Sequence, residues 1–468
     1  MHDRYSVLKE AERRSQAYLR QLPDRPVRAL ATPADLRARL GGTLGRESTA
    51  DEIVLATLAD AADVGTTASR GPRFFGFVIG GSLPIATAAD WLVSAWDQNA
   101  AVHVLSPFAS AIEDIAASWL REVVGLPREW SVGFVTGCQM ANFTALAAAR
   151  HHVLAAAGWE VEARGLFGAP AIDVMVSEES HYTIFMALRL LGLGAERVTR
   201  IPTDRQGRMR ADALADALRA GSGPCIVCAQ AGNVNTGAID PLPAIVDAAR
   251  ARGAWLHVDG AFGLWASATR DYSHLTSGIT RADSIAADGH KWLNVPYDCG
   301  IVFTAHAGSH RAAMTLQASY IVADDVERDP RDFVPEESRR ARAVPVYAVL
   351  KSLGRDGLDA LVSRCCGLAS RMAARLSDTP GVHVLNDVVL NQVLVRFGSD
   401  EPGHAADEFT RQVIARVQQD GTCWLGGTTW HAMAAMRVAI SNWATTEVDV
   451  DRSATAILDA WRAVRSTM

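Results

Sequence analysis

A chain of 468 residues, 49% hydrophobic and 21% charged, is long enough for a sizeable core, is expected to form two packed units and has the make-up of an ordinary globular protein. A net charge of −6 without a basic tract excludes an electrostatic footprint for nucleic acid or for an anionic membrane surface. The N-terminus runs straight into charged residues, the uncharged run Trp130 to Ala149 carries Gly, Gln, Asn and Thr, and seven cysteines are too sparse for a disulfide framework, so the expected setting is the reducing cytoplasm.

From Arg4 to about Ala62, apolar residues recur at three- and four-residue spacing with Arg and Glu between them, which predicts helices broken at Pro23 and Pro26 and restarted at Pro33. Gly71 to Ala101 holds Phe74, Phe75, Phe77, Trp91 and Trp96 in a glycine-rich stretch with no clean period, a pattern of core or interface. Ser106-Pro-Phe opens a helix to about Val124. Gly133-Phe-Val-Thr, then Gly137, then the alanine-rich run from Cys138 to Arg150 predict a strand, a glycine turn and a helix. The N-terminus of that helix offers free N–H groups to an anion.

A βα alternation follows. Strands are predicted at Ile172–Ser177, Arg197–Ile201, Pro224–Ala229 and Trp255–Val258, with helices at His181–Leu191, Asp212–Ala220 and Leu242–Arg252. Such alternation argues for a parallel sheet with helices on both faces. Cys225 and Cys228 form a CxxC inside an apolar run, which reads as buried strand and not as a metal or redox pair. Asp259, just past the strand at Val258, suits the rim of a ligand crevice in an open α/β sheet.

Lys291 lies downstream, in Ser284-Ile-Ala-Ala-Asp-Gly-His-Lys-Trp292. Of 46 Lys plus Arg, only Lys9, Lys291 and Lys351 are lysines. Arginine stays protonated, whereas a desolvated lysine can become the neutral amine that a Schiff base to an aldehyde requires. Taken singly, Asp259 could cap a helix and Lys291 could lie on the surface; their order and spacing join them. The run Leu316 to Arg342 is charged and reads as a solvated loop. Beyond Val346 the pattern is that of a smaller domain, with helices expected near Tyr347–Leu353 and Leu358–Leu376 and Arg437 on a late strand, at a carboxylate site or an interdomain interface.

His257-Val-Asp-Gly-Ala-Phe-Gly263 followed by Asp288-Gly-His-Lys-Trp292 resembles the group II pyridoxal-phosphate-dependent amino acid decarboxylases, from about Arg73 to the C-terminus. The resemblance implies an α/β, PLP-dependent transferase fold of type I: a mainly parallel sheet with helices on both faces, plus a smaller C-terminal α/β domain. It implies an N-terminal helical arm (1–70), a large cofactor-binding domain (71–335) and a small domain (336–468), in a homodimer whose arm wraps the partner, the alternative being a helical cap on its own chain.

The cofactor it implies is pyridoxal 5'-phosphate, joined to Lys291, with Asp259 facing the ring nitrogen. By the same resemblance His181 stacks on the ring and Ala261 packs on its other face. Gly137, Cys138 and Gln139 hold the phosphate, although family members commonly have Gly-Ser or Gly-Thr where this chain has Cys138-Gln139. Asp288 and His290 stand at phosphate-contacting positions. Asn233 and Val234 replace two threonines near cofactor or substrate. Phe75, Phe77, Tyr320 and Arg437 are candidates for substrate contact.

The family's catalytic lid carries a tyrosine that protonates the substrate carbon. Aligning back from Arg339–Arg342 puts Pro330 near that position, with no tyrosine between Val322 and Val344 and Tyr320 the nearest phenol. The expected reaction is removal of the α-carboxylate of an L-amino acid, and the aromatic residues point to an aromatic or bulky side chain. The alternatives are decarboxylation coupled to oxidative deamination, giving an aldehyde, and another type I reaction such as transamination or β-elimination. A non-catalytic binding module is a further alternative, against which the retention of Lys291 and Asp259 argues. No metal, nucleic acid or membrane partner is expected.

Overall fold

Strands covered by helices on both faces need no polar side and read as continuous apolar runs. The larger unit has seven strands among the described residues, most of them of this kind: Ser131–Val135 (β1), Asp173–Ser177 (β2), Thr199–Ile201 (β3), Cys225–Gln230 (β4), Trp255–Asp259 (β5), Ser284–Asp288 (β6) and Gly300–Thr304 (β7). All but β2 and β3 are buried at every position. The computed structural model describes residues 5–316 and 328–466. In it these strands form one sheet in the order β1-β7-β6-β5-β4-β2-β3.

Neighbours from β3 to β6 pair in parallel, and β7 runs antiparallel to both β6 and β1. The carboxyl ends of β1, β2, β4, β5 and β6 therefore share one edge, where β7 begins. Helix Cys138–Ala156 lies on β4 to β7 beside helices Tyr182–Leu190 and Ala307–Met314, while Ala211–Ala220 and Leu242–Arg252 pack as a pair whose second member rests on β4 and β5. Leu146, Val174, Val176, Ile184, Ile226 and Cys228 are among the residues of the core between sheet and helices.

The chain divides into this larger unit, residues 80–370 with 386–393, and a smaller one formed by the residues up to 79, 371–385 and 394 onward. The smaller unit holds the strands Val382–Val384 (β8), Gln392–Phe397 (β9), Gly426–Trp430 (β10) and Met433–Ala439 (β11), ordered β10-β11-β9-β8. Helix His404–Asp420 packs on β11. The N-terminal helices Ser6–Gln21, Pro33–Leu40 and Asp51–Gly65 belong to the same unit. The second of them opens with a capping box between Thr32 and Asp35. The aromatic stretch after these helices is tied to the C-terminal part of its unit: Phe74 stacks on Trp424 at 5.0 Å and the Phe75 N–H donates to the Trp424 carbonyl at 2.7 Å.

The helices expected at Tyr347–Leu353 and Leu358–Leu376 lie within the span Ala343–Ser377 and meet at a kink at Gly354 (φ 62°), a conformation glycine adopts at little steric cost. One local feature differs from the sequence reading. The segment read as a solvated charged loop buries Arg331, Asp332 and Arg339 within its described part. Those charges leave water because each has a partner: Arg339 meets both Glu113 oxygens, and Asp332 receives Arg311 at 2.9 Å.

Candidate active site

At the carboxyl edge of the sheet, Gly137 follows β1 in an extended conformation (φ 176°) and precedes the first turn of helix Cys138–Ala156. Two backbones meet here so closely that a side chain is excluded. A Cβ on Gly300, the first residue of β7, would lie 2.3 Å from the Gly137 carbonyl carbon. Across this contact the Cys138 N–H donates to Asp288 Oδ1 at 2.6 Å, while Asp288 Oδ2 lies 2.9 Å from Lys291 Nζ. Burial works against the Lys291 charge, but Asp288 and its other acidic neighbours outweigh it and hold the ammonium above the usual lysine range.

His290 completes this cluster. Its Nδ1 accepts the Cys299 N–H at 3.1 Å, so Nε2 carries the proton, 3.3 Å from Asp288 Oδ1. Burial pushes the ring's pKa below the ordinary histidine value and keeps it neutral. The Trp265 indole N–H donates to the Asp288 carbonyl at 3.1 Å and pins the backbone from behind.

Asp259 ends β5 and is buried. Its Oδ1 accepts the Ala261 N–H at 3.1 Å and the Cys138 thiol at 3.4 Å; its Oδ2 accepts Asn142 Nδ2 at 3.1 Å. Burial, with Asp259 adding to it, raises the Cys138 thiol well above its ordinary value, so it remains a donor. Cys138 thus touches both carboxylates, and the glycine turn, Asp259, Asp288 and Lys291 converge on one place.

The remaining strands of that edge bring two more groups. After β2, His181 occupies the N-cap position of helix Tyr182–Leu190, its Nδ1 2.8 Å from Thr183 Oγ1 and its ring 4.5 Å from that of Tyr182. After β4, the loop is braced by Asp240, which accepts the Met209 and Gln230 N–H groups at 2.7 and 2.8 Å. Within it Asn233 Oδ1 accepts the N–H groups of Asn235 and Thr236 at 2.9 and 3.2 Å. Its Nδ2, buried, meets no hydrogen-bond partner among the described residues, an orphan donor of the kind that a ligand satisfies.

These groups fit pyridoxal phosphate: an amine and a strand-end carboxylate at one crevice, a side-chain-free turn before a helix N-terminus, and an orphan amide. The family model for the pyridoxal-dependent decarboxylase conserved domain matches residues 33–398. The chain belongs to this family. It is 32% identical over 383 residues to the L-2,4-diaminobutyrate decarboxylase of Rhizobium meliloti (strain 1021), covering 80% of this chain and 74% of that one. It is 24% identical to the 4-hydroxyphenylacetaldehyde synthase of Rhodiola rosea, covering 96% of this chain and 92% of that one. The fold is that of the crystal structure of Oryza sativa TDC with PLP and tryptamine, with a TM-score of 0.91, 22% identity, and coverage of 98% and 97%.

In this decarboxylase not every sequence candidate lies in the larger unit. Phe75, Phe77 and Arg437 belong to the smaller one: Phe75 is in its core, Phe77 is exposed and tilted against Trp424 at 5.4 Å, and Arg437 pairs with Gly426 across β10 and β11. Burial pulls the Arg437 guanidinium below its usual range. Tyr320 lies outside the described residues. Gln139 follows Cys138 in the first helical turn, and Ala261 follows Asp259 past β5.

Sequence reasoning missed Tyr297, an exposed ring 4.3 Å from that of His290, and the polar residues behind Asp259. A signal for the latter was available. Asn142 stands four residues after Cys138 on its helix, and His257 two before Asp259 on its strand, so each shares a face with a site residue.

Proposed function

We propose that Lys291 is the attachment point of pyridoxal phosphate in this decarboxylase, that Asp259 partners the cofactor's ring nitrogen, and that the substrate is an L-amino acid with a bulky or aromatic side chain. The observation that carries the reading is the convergence of Lys291, Asp288, Cys138 and Asp259 at the carboxyl edge of the sheet. The bound cofactor supplies a sink for the electron pair left behind when carbon dioxide departs.

The protein's own groups do the rest. Asp288 Oδ2, 2.9 Å from Nζ, is placed to take the proton that the amine must lose before it attacks an aldehyde. The phosphate sits at the turn of Gly137, Cys138 and Gln139. Because Asp288 already holds the Cys138 N–H, the N–H groups that follow and the His290 side carry that contact. Asn233 Nδ2 donates to the cofactor or to the substrate carboxylate, taking over from a hydroxyl. His181 and Ala261 would hold the cofactor ring from its two faces.

The test is borohydride reduction of the holoenzyme followed by peptide mapping. The label belongs on Lys291 and disappears in Lys291→Ala; a label on another residue removes this assignment. Incubation with individual L-amino acids then identifies the reaction. Carbon dioxide with one equivalent of amine supports simple decarboxylation, whereas transamination or β-elimination releases none.

One observation favours a second outcome. No tyrosine lies between Val322 and Val344, so the carbon that has lost carbon dioxide finds no phenol in that segment to protonate it and is left open to dioxygen. The relative from Rhodiola rosea is named for an aldehyde product. Carbon dioxide with hydrogen peroxide and ammonia, in place of amine, identifies that route.

A homodimer completes the proposal. Helix Ser6–Gln21 buries none of its residues, and in the larger unit Trp91, Leu92, Trp96 and Phe108 are exposed, which supports cover by a second copy. Sedimentation of the holoenzyme at twice the 50.2 kDa chain mass is the expected result. All seven cysteines are free and buried, consistent with a reducing, cytoplasmic setting.

A further inference from the structure

Behind Asp259 lies a run of buried polar side chains that the reaction as proposed does not use. Trp255 Nε1 is 2.9 Å from Ser284 Oγ, Ser284 Oγ is 2.9 Å from His257 Nδ1, His257 Nε2 is 2.9 Å from Asn142 Oδ1, and Asn142 Nδ2 is 3.1 Å from Asp259 Oδ2. Trp255 is 2% exposed and Asn142, His257 and Ser284 are 0% exposed, so each proton must find its acceptor inside the protein.

The chemistry of the two ends fixes the direction of every bond. An indole N–H only donates, so Ser284 Oγ accepts from Trp255 and must place its single proton elsewhere; His257 Nδ1 is the acceptor at hand. That leaves the His257 proton on Nε2, aimed at Asn142 Oδ1, and turns the Asn142 amide N–H₂ toward Asp259. The reverse direction would put two donors on Ser284 Oγ, take its proton away from His257 and require a protonated Asp259. Only the first arrangement gives the Ser284 proton an acceptor within the run and presents a donor to Asp259.

We infer that Trp255, Ser284, His257 and Asn142 form a one-way hydrogen-bond relay that fixes Asp259 as a carboxylate and thereby sets the proton on the cofactor's ring nitrogen; this rests on the assignment of Asp259 to that nitrogen. Asp259 has about four lone-pair sites, of which Asn142 Nδ2, the Ala261 N–H and the Cys138 thiol take three. The fourth remains for the ring N–H. With three donors aimed at its oxygens Asp259 is placed to accept and not to donate, so a proton shared with a pyridine nitrogen resides on the ring. Asn142 and His257 are positioning residues, and Ser284 acts through His257 without touching Asp259.

The experiment uses the holoenzyme loaded with cofactor carrying ¹⁵N at the ring nitrogen, whose resonance reports protonation directly. Asn142→Leu is expected to move that resonance toward the unprotonated position and to raise the cofactor dissociation constant roughly tenfold to a hundredfold, the loss of one hydrogen bond to a charged group. Ser284→Ala should move the resonance the same way by less, while His257→Gln, which keeps a donor toward Asn142, should stay near the parent. A merely structural role predicts a lower unfolding temperature with the resonance unmoved. Should Asn142→Leu fail to fold, Ser284→Ala decides alone.

A parent that takes the borohydride label on Lys291, with resonance and dissociation constant unchanged in Ser284→Ala and Asn142→Leu, overturns the relay and leaves the site assignment standing. A parent that takes no label there removes both.

Discussion

Asn233 separates positioning from ligation within a single side chain. Its oxygen organises the loop by accepting two backbone N–H groups, and its nitrogen, buried, meets no acceptor among the described residues. Asn233→Asp keeps the oxygen and removes the amide donor in nearly the same volume. We expect the loop to survive and the affinity for cofactor, or the KM for substrate, to worsen by roughly tenfold to a hundredfold, since a buried polar group on the ligand would lose its partner. Cofactor titration and initial-rate kinetics measure the two separately. Unchanged values in both would place Asn233 outside the site. The replacement of the family's threonine by asparagine was legible in the sequence; that its two ends face different ways was not, because it depends on the fold of Ala231–Asp240.

At the level of elements, the glycine turn is set by the approach of two strands. Gly300 faces the Gly137 backbone on one side of the site, where a Cβ would lie 2.3 Å from the carbonyl carbon and 2.5 Å from Cα. Neither partner is a flexible side chain, so Gly300→Ala must displace β1 or β7. The expected cost is about 1–3 kcal/mol, with cofactor affinity falling at least tenfold as the helix N-terminus shifts. Gly137→Ala should be milder, because its nearest contact would be the His290 ring at 3.2 Å. Unfolding midpoints and cofactor titrations of the two variants give the comparison; equal effects would mean that the turn tolerates movement.

The sequence announced one side of this contact. Gly133-Phe-Val-Thr, Gly137 and the alanine-rich helix carry their own periodicity, and so do the β2 to β5 segments. β7 escaped notice because the βα alternation ends before it: Gly300–Thr304 joins the sheet antiparallel, without a crossover helix to mark it. Likewise Asp332 and Arg339 look like solvent-facing charges until Arg311, 21 residues away, and Glu113, 226 residues away, are brought to them. The second pairing, across so much chain, leaves no local signature.

For the whole molecule, the buried titratable groups of the larger unit make stability depend on pH in opposing ways. Burial pushes His310 down to about 3 and His257 down to about 4 from an ordinary 6.5. Each ring stays neutral in the folded protein while the unfolded chain takes up a proton, so their contribution is complete above pH 6.5 and is lost as pH falls below it. Asp240, pushed up to about 7 by burial, does the reverse: it favours the folded state at low pH and loses that contribution as pH rises through 7. A pH profile of the parent alone therefore mixes the two signs.

His310 isolates one of them. It is held at 2.8 Å by Ser131 Oγ and lies edge-on to Phe333 at 5.3 Å. His310→Gln offers the same hydroxyl a partner without a titrating ring. Between pH 6.5 and pH 4 the parent should lose about 3 kcal/mol more unfolding free energy than His310→Gln, at 1.36 kcal/mol per pH unit. Denaturant titrations at a series of pH values supply both curves. Parallel curves would show that His310 is protonated in the folded protein. The same series reaches the active site, because protonating His257 near pH 4 removes the acceptor that Ser284 needs. Loss of bound cofactor should then begin before the larger unit unfolds.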